Sequence, residues 1–161
     1  MESFAELYRS SAADVYAYVA TMLGDRGAAE DVVAQAFERA WRKRRSFDAR
    51  RGSARAWLFG IARNAALDEL RRRRRGAPLI GEPADEELAL DDDAEALVRR
   101  AAVRAALEGL EPRDRDLVAL KFHGGLTNAE LARVLGVSES NAGTRLHRAV
   151  TKLREACHVE A

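Results

Sequence analysis

Between Gly76 and Glu95 the chain changes character. The stretch GAPLIGEPADEELALDDDAE holds two of the three prolines, two glycines and eight acids (Glu82, Asp85, Glu86, Glu87, Asp91, Asp92, Asp93, Glu95), with no lysine or arginine. Proline and glycine interrupt helices, and a run of like charges repels itself, so residues 76–93 are expected to form a flexible acidic linker. That divides the molecule into residues 1–75 and 94–161, each of a size for one small domain. The net charge of +1 conceals the division. Residues 1–75 carry 16 Lys/Arg against 10 Asp/Glu, and residues 97–161 carry 11 against 8. Two basic blocks flanking an acidic one suggest a polyanionic partner for the ends and a different role for the middle.

The basic blocks have helical periodicity. Phe4, Leu7, Tyr8, Ser11, Val15, Tyr18, Val19 and Met22 recur at three- and four-residue intervals, and after GDRG so do Val32, Val33, Ala36, Phe37, Ala40 and Trp41. FDARRGS is a loop with Gly52 as punctuation and Ser53 as an N-cap, before a third helix containing Trp57, Leu58, Ile61, Ala62 and Ala65. In the second block, Leu97, Val98, Ala101, Ala105 and Leu107 outline an Ala-rich helix, and Pro112 is well placed to open another, with Leu117, Val118 and Leu120 on its apolar side. No period-two strand pattern occurs, so the fold class is all-α, a helical bundle followed by a helix-turn-helix domain. Nine of the ten aromatic residues precede residue 60, which predicts separate cores for the two units.

The stretch LTNAELARVLGVSESNAGTRLHRA, Leu126–Ala149, is the most informative. Thr127 and Glu130 have capping-box spacing, Leu131, Ala132 and Leu135 face inward, Gly136 permits a turn, and Ser138 can cap a longer helix. That second helix sets Ala142, Leu146, Ala149, Val150 and Leu153 on one side and Asn141, Thr144, Arg145, His147, Arg148 and Lys152 on the other. Groove-reading helices need short polar side chains near the N-terminus and cations for phosphates, so this is a candidate DNA-binding helix-turn-helix. DELRRRRR, Asp68–Arg75, is a second candidate: one or two cations complement a helix end, whereas five adjacent ones repel unless phosphates neutralise them. The loop Asp48–Ala54 is a third, basic and rich in small residues, at a place where an unstacked base can be held.

Other function classes find no support. No apolar run approaches the roughly 18 residues that span a membrane, and ESFAELY after Met1 has neither the basic nor the apolar region of a signal peptide. We therefore expect no membrane insertion and a cytoplasmic protein. Cys157, the lone cysteine, excludes an intramolecular disulfide; with His158, His123 and His147 it makes no zinc-ligand spacing. No phosphate-binding loop, dinucleotide fingerprint or nucleophile elbow is present, so we expect no cofactor, no metal, no small-molecule substrate and no enzymatic activity.

Taken in order, FAELYRSSAADVYAYVATMLGDRGAAEDVVAQAFERAWR, FDARRGSARAWLFGIARNAALDELRRRRR, the acidic linker and LEGLEPRDRDLVALKFHGGLTNAELARVLGVSESNAGTRLHRAVTKLRE resemble an extracytoplasmic function (ECF) sigma factor of bacterial RNA polymerase, from Phe4 to about Glu155. The resemblance implies binding to core RNA polymerase, promoter recognition, melting of the −10 element and an anti-sigma partner. It implies polymerase contacts from the segment holding Asp31, Gln35, Phe37 and Arg39, with Phe37 and Trp41 partly in the core. It places −10 DNA beside Asp48, Arg50, Arg51, Ser53, Arg63, Asn64, Arg71 and Arg72, and −35 DNA beside Asn141, Thr144, Arg145, His147, Arg148 and Lys152. Two positions depart from the family pattern: Ala34-Gln35 stands where Gln-Glu is common, and Gly143 where a cation is frequent. Leu126–Leu146 also resembles the C-terminal domain of LuxR-type response regulators, but that reading requires a phosphoacceptor domain with alternating strands, which the first half does not suggest.

Overall fold

The computed structural model describes residues 3–76 and 94–159, and these fold into helices with no β-strand among them. The linker expected over residues 76–93 lies, apart from Gly76, outside the described residues. The first unit contains α1 (Phe4–Leu23), α2 (Arg26–Arg42), two single 3-10 turns (Arg44–Ser46 and Ala49–Arg51) and α3 (Ala54–Arg74). The second contains α4 (Ala94–Gly109), α5 (Pro112–Phe122), α6 (Asn128–Leu135) and α7 (Glu139–Val159).

Local chemistry sets the boundaries. Ser3 and Glu6 form a reciprocal capping box on α1, and Gly24, at φ +65°, ends that helix in the left-handed conformation. Asp25 accepts from the Ala28 amide to start α2, and Ser53 accepts from the Ala56 amide to start α3. Arg73 then spans the bundle, donating to the Leu23 carbonyl at 2.9 Å and to the buried Asp25 carboxylate at 3.2 Å. One arginine of the run is thus a structural brace that completes the end of α1.

The helix α4 corrects its predicted face. Val98, Ala101 and Ala105 point to solvent, while Ala106 is buried and Ala102 and Leu107 half-buried. Methyl groups surround an Ala-rich helix on every side, so its periodicity is weak. The helix α5 shows the reverse: Asp116, Leu117, Val118, Ala119 and Leu120 are consecutive and all buried.

That burial has a consequence for the whole molecule. Separate cores were expected, yet one continuous apolar cluster joins Leu7, Val15, Tyr18, Val19, Leu58 and Phe59 of the first unit to Leu120, Leu126, Leu131 and Leu146 of the second. A smaller cluster, Leu110, Val118 and Ala149, belongs to the second unit alone. Helix α5 packs on α1, and α6 packs on α3. The second unit has one aromatic residue, Phe122, which is exposed. Leucines that its small core leaves uncovered are buried against the aromatic-rich bundle instead.

Candidate nucleic-acid and polymerase interfaces

The helix-turn-helix forms where the sequence placed it. Thr127 accepts from the Glu130 amide at 3.1 Å and the Glu130 carboxylate accepts from the Thr127 amide at 3.0 Å. Gly136 takes φ +70°, the Val137 amide reaches back to the Ala132 carbonyl, and Ser138 accepts from the Asn141 amide at 3.1 Å. Helix α7 therefore leaves the turn with Ala142, Leu146 and Ala149 buried and with Asn141, Thr144, Arg145, His147, Arg148 and Lys152 exposed. Arg145 and Arg148 form no ion pair with a described residue, whereas Lys152 pairs with Asp114 at 2.9 Å. Two unpaired guanidinium groups on a rigid helix face suit bidentate contacts with guanine edges or phosphates.

Gly143 is half-buried, not on that exposed face. An added Cβ would meet the Asn128 amide nitrogen at 3.5 Å, an ordinary contact, and its φ is not positive. Gly143→Ala is expected to raise the unfolding free energy by about 1 kcal/mol, the usual difference between alanine and glycine in a helix interior. Urea denaturation followed by circular dichroism measures it. A variant no more stable than the parent would show that space beside Asn128 is needed.

In the first unit, Asp31, Gln35 and Arg39 lie four residues apart on one stripe of α2; Asp31 and Gln35 are exposed, and Arg39 reaches Asp68 at 3.3 Å. Phe37 is on another side. It is 7% exposed and packs edge-on against Phe4 and Tyr8, which makes it a core residue. The aromatic groups that do face outward are Tyr8 and Trp41, each about half exposed, with the Arg44 guanidinium 3.7 Å above the Trp41 ring. Trp41, expected to be partly core, is half covered: its ring packs edge-on against Phe4 and carries the Arg44 cation on its face.

The loop Asp48–Ala54 is self-stabilised. The Asp48 carboxylate accepts from the Arg50 amide at 3.0 Å and from its guanidinium at 3.1 Å, and that side-chain bond holds the carboxyl below its ordinary range. Asp48 is therefore occupied in shaping the turn, while Arg51 and Asn64 face solvent. Arg71 and Arg72 are exposed and pair along the helix with Asp68 and Glu69.

Two of the predicted −10 residues are engaged elsewhere. Arg63 donates from Nε to Asp116 at 2.8 Å, and the Ser53 hydroxyl donates to Glu130 at 2.5 Å, so both bond to the second unit. Asp116 is 4% exposed and accepts a second bond from the Tyr18 hydroxyl at 2.6 Å. Burial first, and then the Asp116 charge, push the Tyr18 phenol well above its usual range, so it remains a donor. Glu130 is raised by burial, but bonds from Ser53 and Thr127 outweigh this and leave its carboxyl below the ordinary value. Arg55 adds a further tie: it donates to Asp14 at 2.6 Å and to the carbonyls of Gly124 at 2.6 Å and His123 at 3.1 Å. Gly124 is needed there, because a Cβ would collide with the Leu120 carbonyl. Arg55 and Asp116 escaped the sequence analysis, and Tyr18 entered it only as part of a helical face. The available signal was a charge, Asp116, inside a helix that is otherwise apolar on this side.

Comparison with known proteins matches both halves. The family model described as Sigma-70 region 2 matches residues 7–76, and that described as Sigma-70, region 4, matches residues 100–153. ECF RNA polymerase sigma factor SigL of Mycobacterium tuberculosis is 34% identical over 151 residues, covering 92% of this chain and 85% of SigL. ECF RNA polymerase sigma factor SigK of Mycobacterium ulcerans is 32% identical over 158 residues, covering 95% of this chain and 84% of SigK. Among solved structures, the sigma factor RpoE in complex with the anti-sigma factor NepR from Bartonella quintana shares the fold with a TM-score of 0.80 at 22% identity over 100% of both chains. CnrH in complex with the cytosolic domain of CnrY gives 0.73 at 25% identity, covering 98% of this chain and 89% of CnrH.

Proposed function

Because this chain belongs to the ECF RNA polymerase sigma factors, we propose that its two helical units divide promoter recognition between them. Residues 1–75 dock on core polymerase and hold the melted −10 region; residues 94–161 read duplex −35 DNA; residues 76–93 join the two. The observation that carries this reading is the exposed face of α7, on which Arg145 and Arg148 form no ion pair with a described residue, fixed by a capping box before it and a left-handed glycine at the turn. On that face Asn141, Thr144, Arg145, His147 and Arg148 contact base edges and phosphates, with Lys152 at the margin. In the first unit Asp31, Gln35 and Arg39 meet polymerase. Arg50, Arg51, Asn64, Arg71 and Arg72 meet the −10 region, joined by Arg63 and Ser53 once these are released.

Melting costs a few kcal/mol for each unstacked base, and capture of an extruded base by the Asp48–Ala54 loop offsets that cost. Neither unit alone contacts enough DNA for tight binding; mounting both on polymerase raises the effective concentration of each at its element. The chain supplies no bond-making chemistry of its own, since nucleotide addition belongs to the polymerase, and it works in the cytoplasm with the chromosome. RpoE was solved in complex with the anti-sigma factor NepR and CnrH with the cytosolic domain of CnrY, and an anti-sigma factor holds this chain. The test is run-off transcription with bacterial core polymerase on fragments of the source genome. Discrete starts that require both core and this chain are the expected result; absence of starts together with absence of co-elution with core overturns the proposal.

A further inference from the structure

We propose that the contact between the two units is an autoinhibitory latch keyed by Asp116, which holds the free chain closed and withholds Arg63 and Ser53 from DNA. The inference rests on the promoter-binding role assigned above, and it concerns the chain by itself, without any inhibitor.

Three elements meet at Asp116. Its carboxylate receives the Tyr18 hydroxyl from α1 and the Arg63 Nε from α3, and it belongs to α5. A carboxylate this buried is stable only when both partners are present, and removal of one partner leaves an unpaired charge in an apolar setting. The closed arrangement is therefore all-or-none at this point. A guanidinium whose Nε–H is committed to Asp116 cannot offer its side-on Nε–Nη fork to a phosphate or a guanine edge. The Ser53 hydroxyl, donating to Glu130, is likewise committed. Closure and −10 binding compete for the same two side chains.

The device is reversible by construction. Residues 76–93 are long enough to reach about 60 Å when extended, so the units can separate without unfolding. The apolar part of the seam from the second unit is Ala119, Leu120, Leu126, Leu131 and Ala132. The polar part, Asp116 with Tyr18 and Arg63, and Arg55 with Asp14 and two carbonyls, gives the seam a single register. A chain whose competent form is a minor population binds more weakly by that fraction, so opening the latch tightens binding.

The experiment uses the full chain with spin labels at Ala13→Cys and Glu155→Cys in a Cys157→Ser background, all at exposed or non-interface positions. Label distances are measured in the free chain, and affinity for a fork-junction DNA carrying a single-stranded −10 element is measured alongside by fluorescence polarisation. Asp116→Asn keeps the volume and removes the charge; Tyr18→Phe keeps the ring against Phe59 and removes the donor. The parent is expected to give one short, narrow distance. Both variants are expected to give a longer, broader one and to bind that DNA at least about tenfold more tightly, with unchanged helicity. A parent that is already broad, variants that remain closed, or variants that open without tighter binding each overturn the latch. If Asp116→Asn loses helicity, Tyr18→Phe decides. Failure of every form to bind that DNA strikes the promoter-binding role itself; the distances need no DNA and separate that failure from failure of the latch.

Discussion

A chain carrying Arg145→Ala and Arg148→Ala together is expected to bind core polymerase as the parent does and to lose at least about thirtyfold of its transcription from −35-dependent promoters. Each good bidentate contact with a base is worth about 1–3 kcal/mol, and each 1.4 kcal/mol is a factor of ten. Two such contacts therefore set a floor of about thirtyfold and allow losses of up to about twenty-thousandfold. Both side chains are exposed and neither pairs with a described residue, so the substitutions should change stability by no more than about 0.5 kcal/mol. The measurement is run-off transcription with parallel core-binding and thermal melts. Unchanged starts would remove α7 from the −35 element. Loss of core binding as well would mean that this face meets polymerase.

The contrast with Lys152 sharpens the expectation. Lys152 lies two turns beyond Thr144 and is tied to Asp114 at 2.9 Å, a bond that raises its own pKa. Any contact it makes with a phosphate must replace that bond. Its contribution should be small and sensitive to salt, whereas those of Arg145 and Arg148 depend on sequence.

What was legible in the sequence is what local chemistry decides. The capping boxes at Thr127 and Ser53's cap on α3, the glycine turn at Gly136 and the proline start of α5 all depend on neighbours within a few residues, and each forms as expected. The exposed polar face of α7 was legible for the same reason. The residues that reach across the molecule were not. Nothing in RRRRR distinguishes Arg73, which braces Leu23 and Asp25, from its exposed neighbours Arg72 and Arg74. Phe37 and Trp41 are four residues apart on one helix, yet one is buried and the other stacks under Arg44. That difference depends on where α1 lies, which periodicity in α2 does not encode. The seam through Asp116 was least legible, since it requires α1, α3 and α5 to be placed together before a single charge acquires its partners.

The shared core makes one more outcome decidable. Leu120→Ala is expected to lower the unfolding free energy by about 2–5 kcal/mol, the range for a fully buried leucine. Against a typical total of about 5–15 kcal/mol that is a large fraction. The informative part is where the loss is felt. Both tryptophans, Trp41 and Trp57, are in the first unit, and Leu120 is in the second. Tryptophan fluorescence thus reports the bundle, while circular dichroism at helical wavelengths reports the whole chain. If the buried cluster couples the units, urea curves from the two probes coincide in the parent and shift together in the variant. If the units were independent beads on a linker, the fluorescence midpoint would stay where it was while the helical signal lost only its second-unit part. Asp116→Asn turns this into a cycle. With the latch released, Leu120→Ala should no longer move the fluorescence midpoint, because the bundle would no longer gain stability from the helix that carries Leu120.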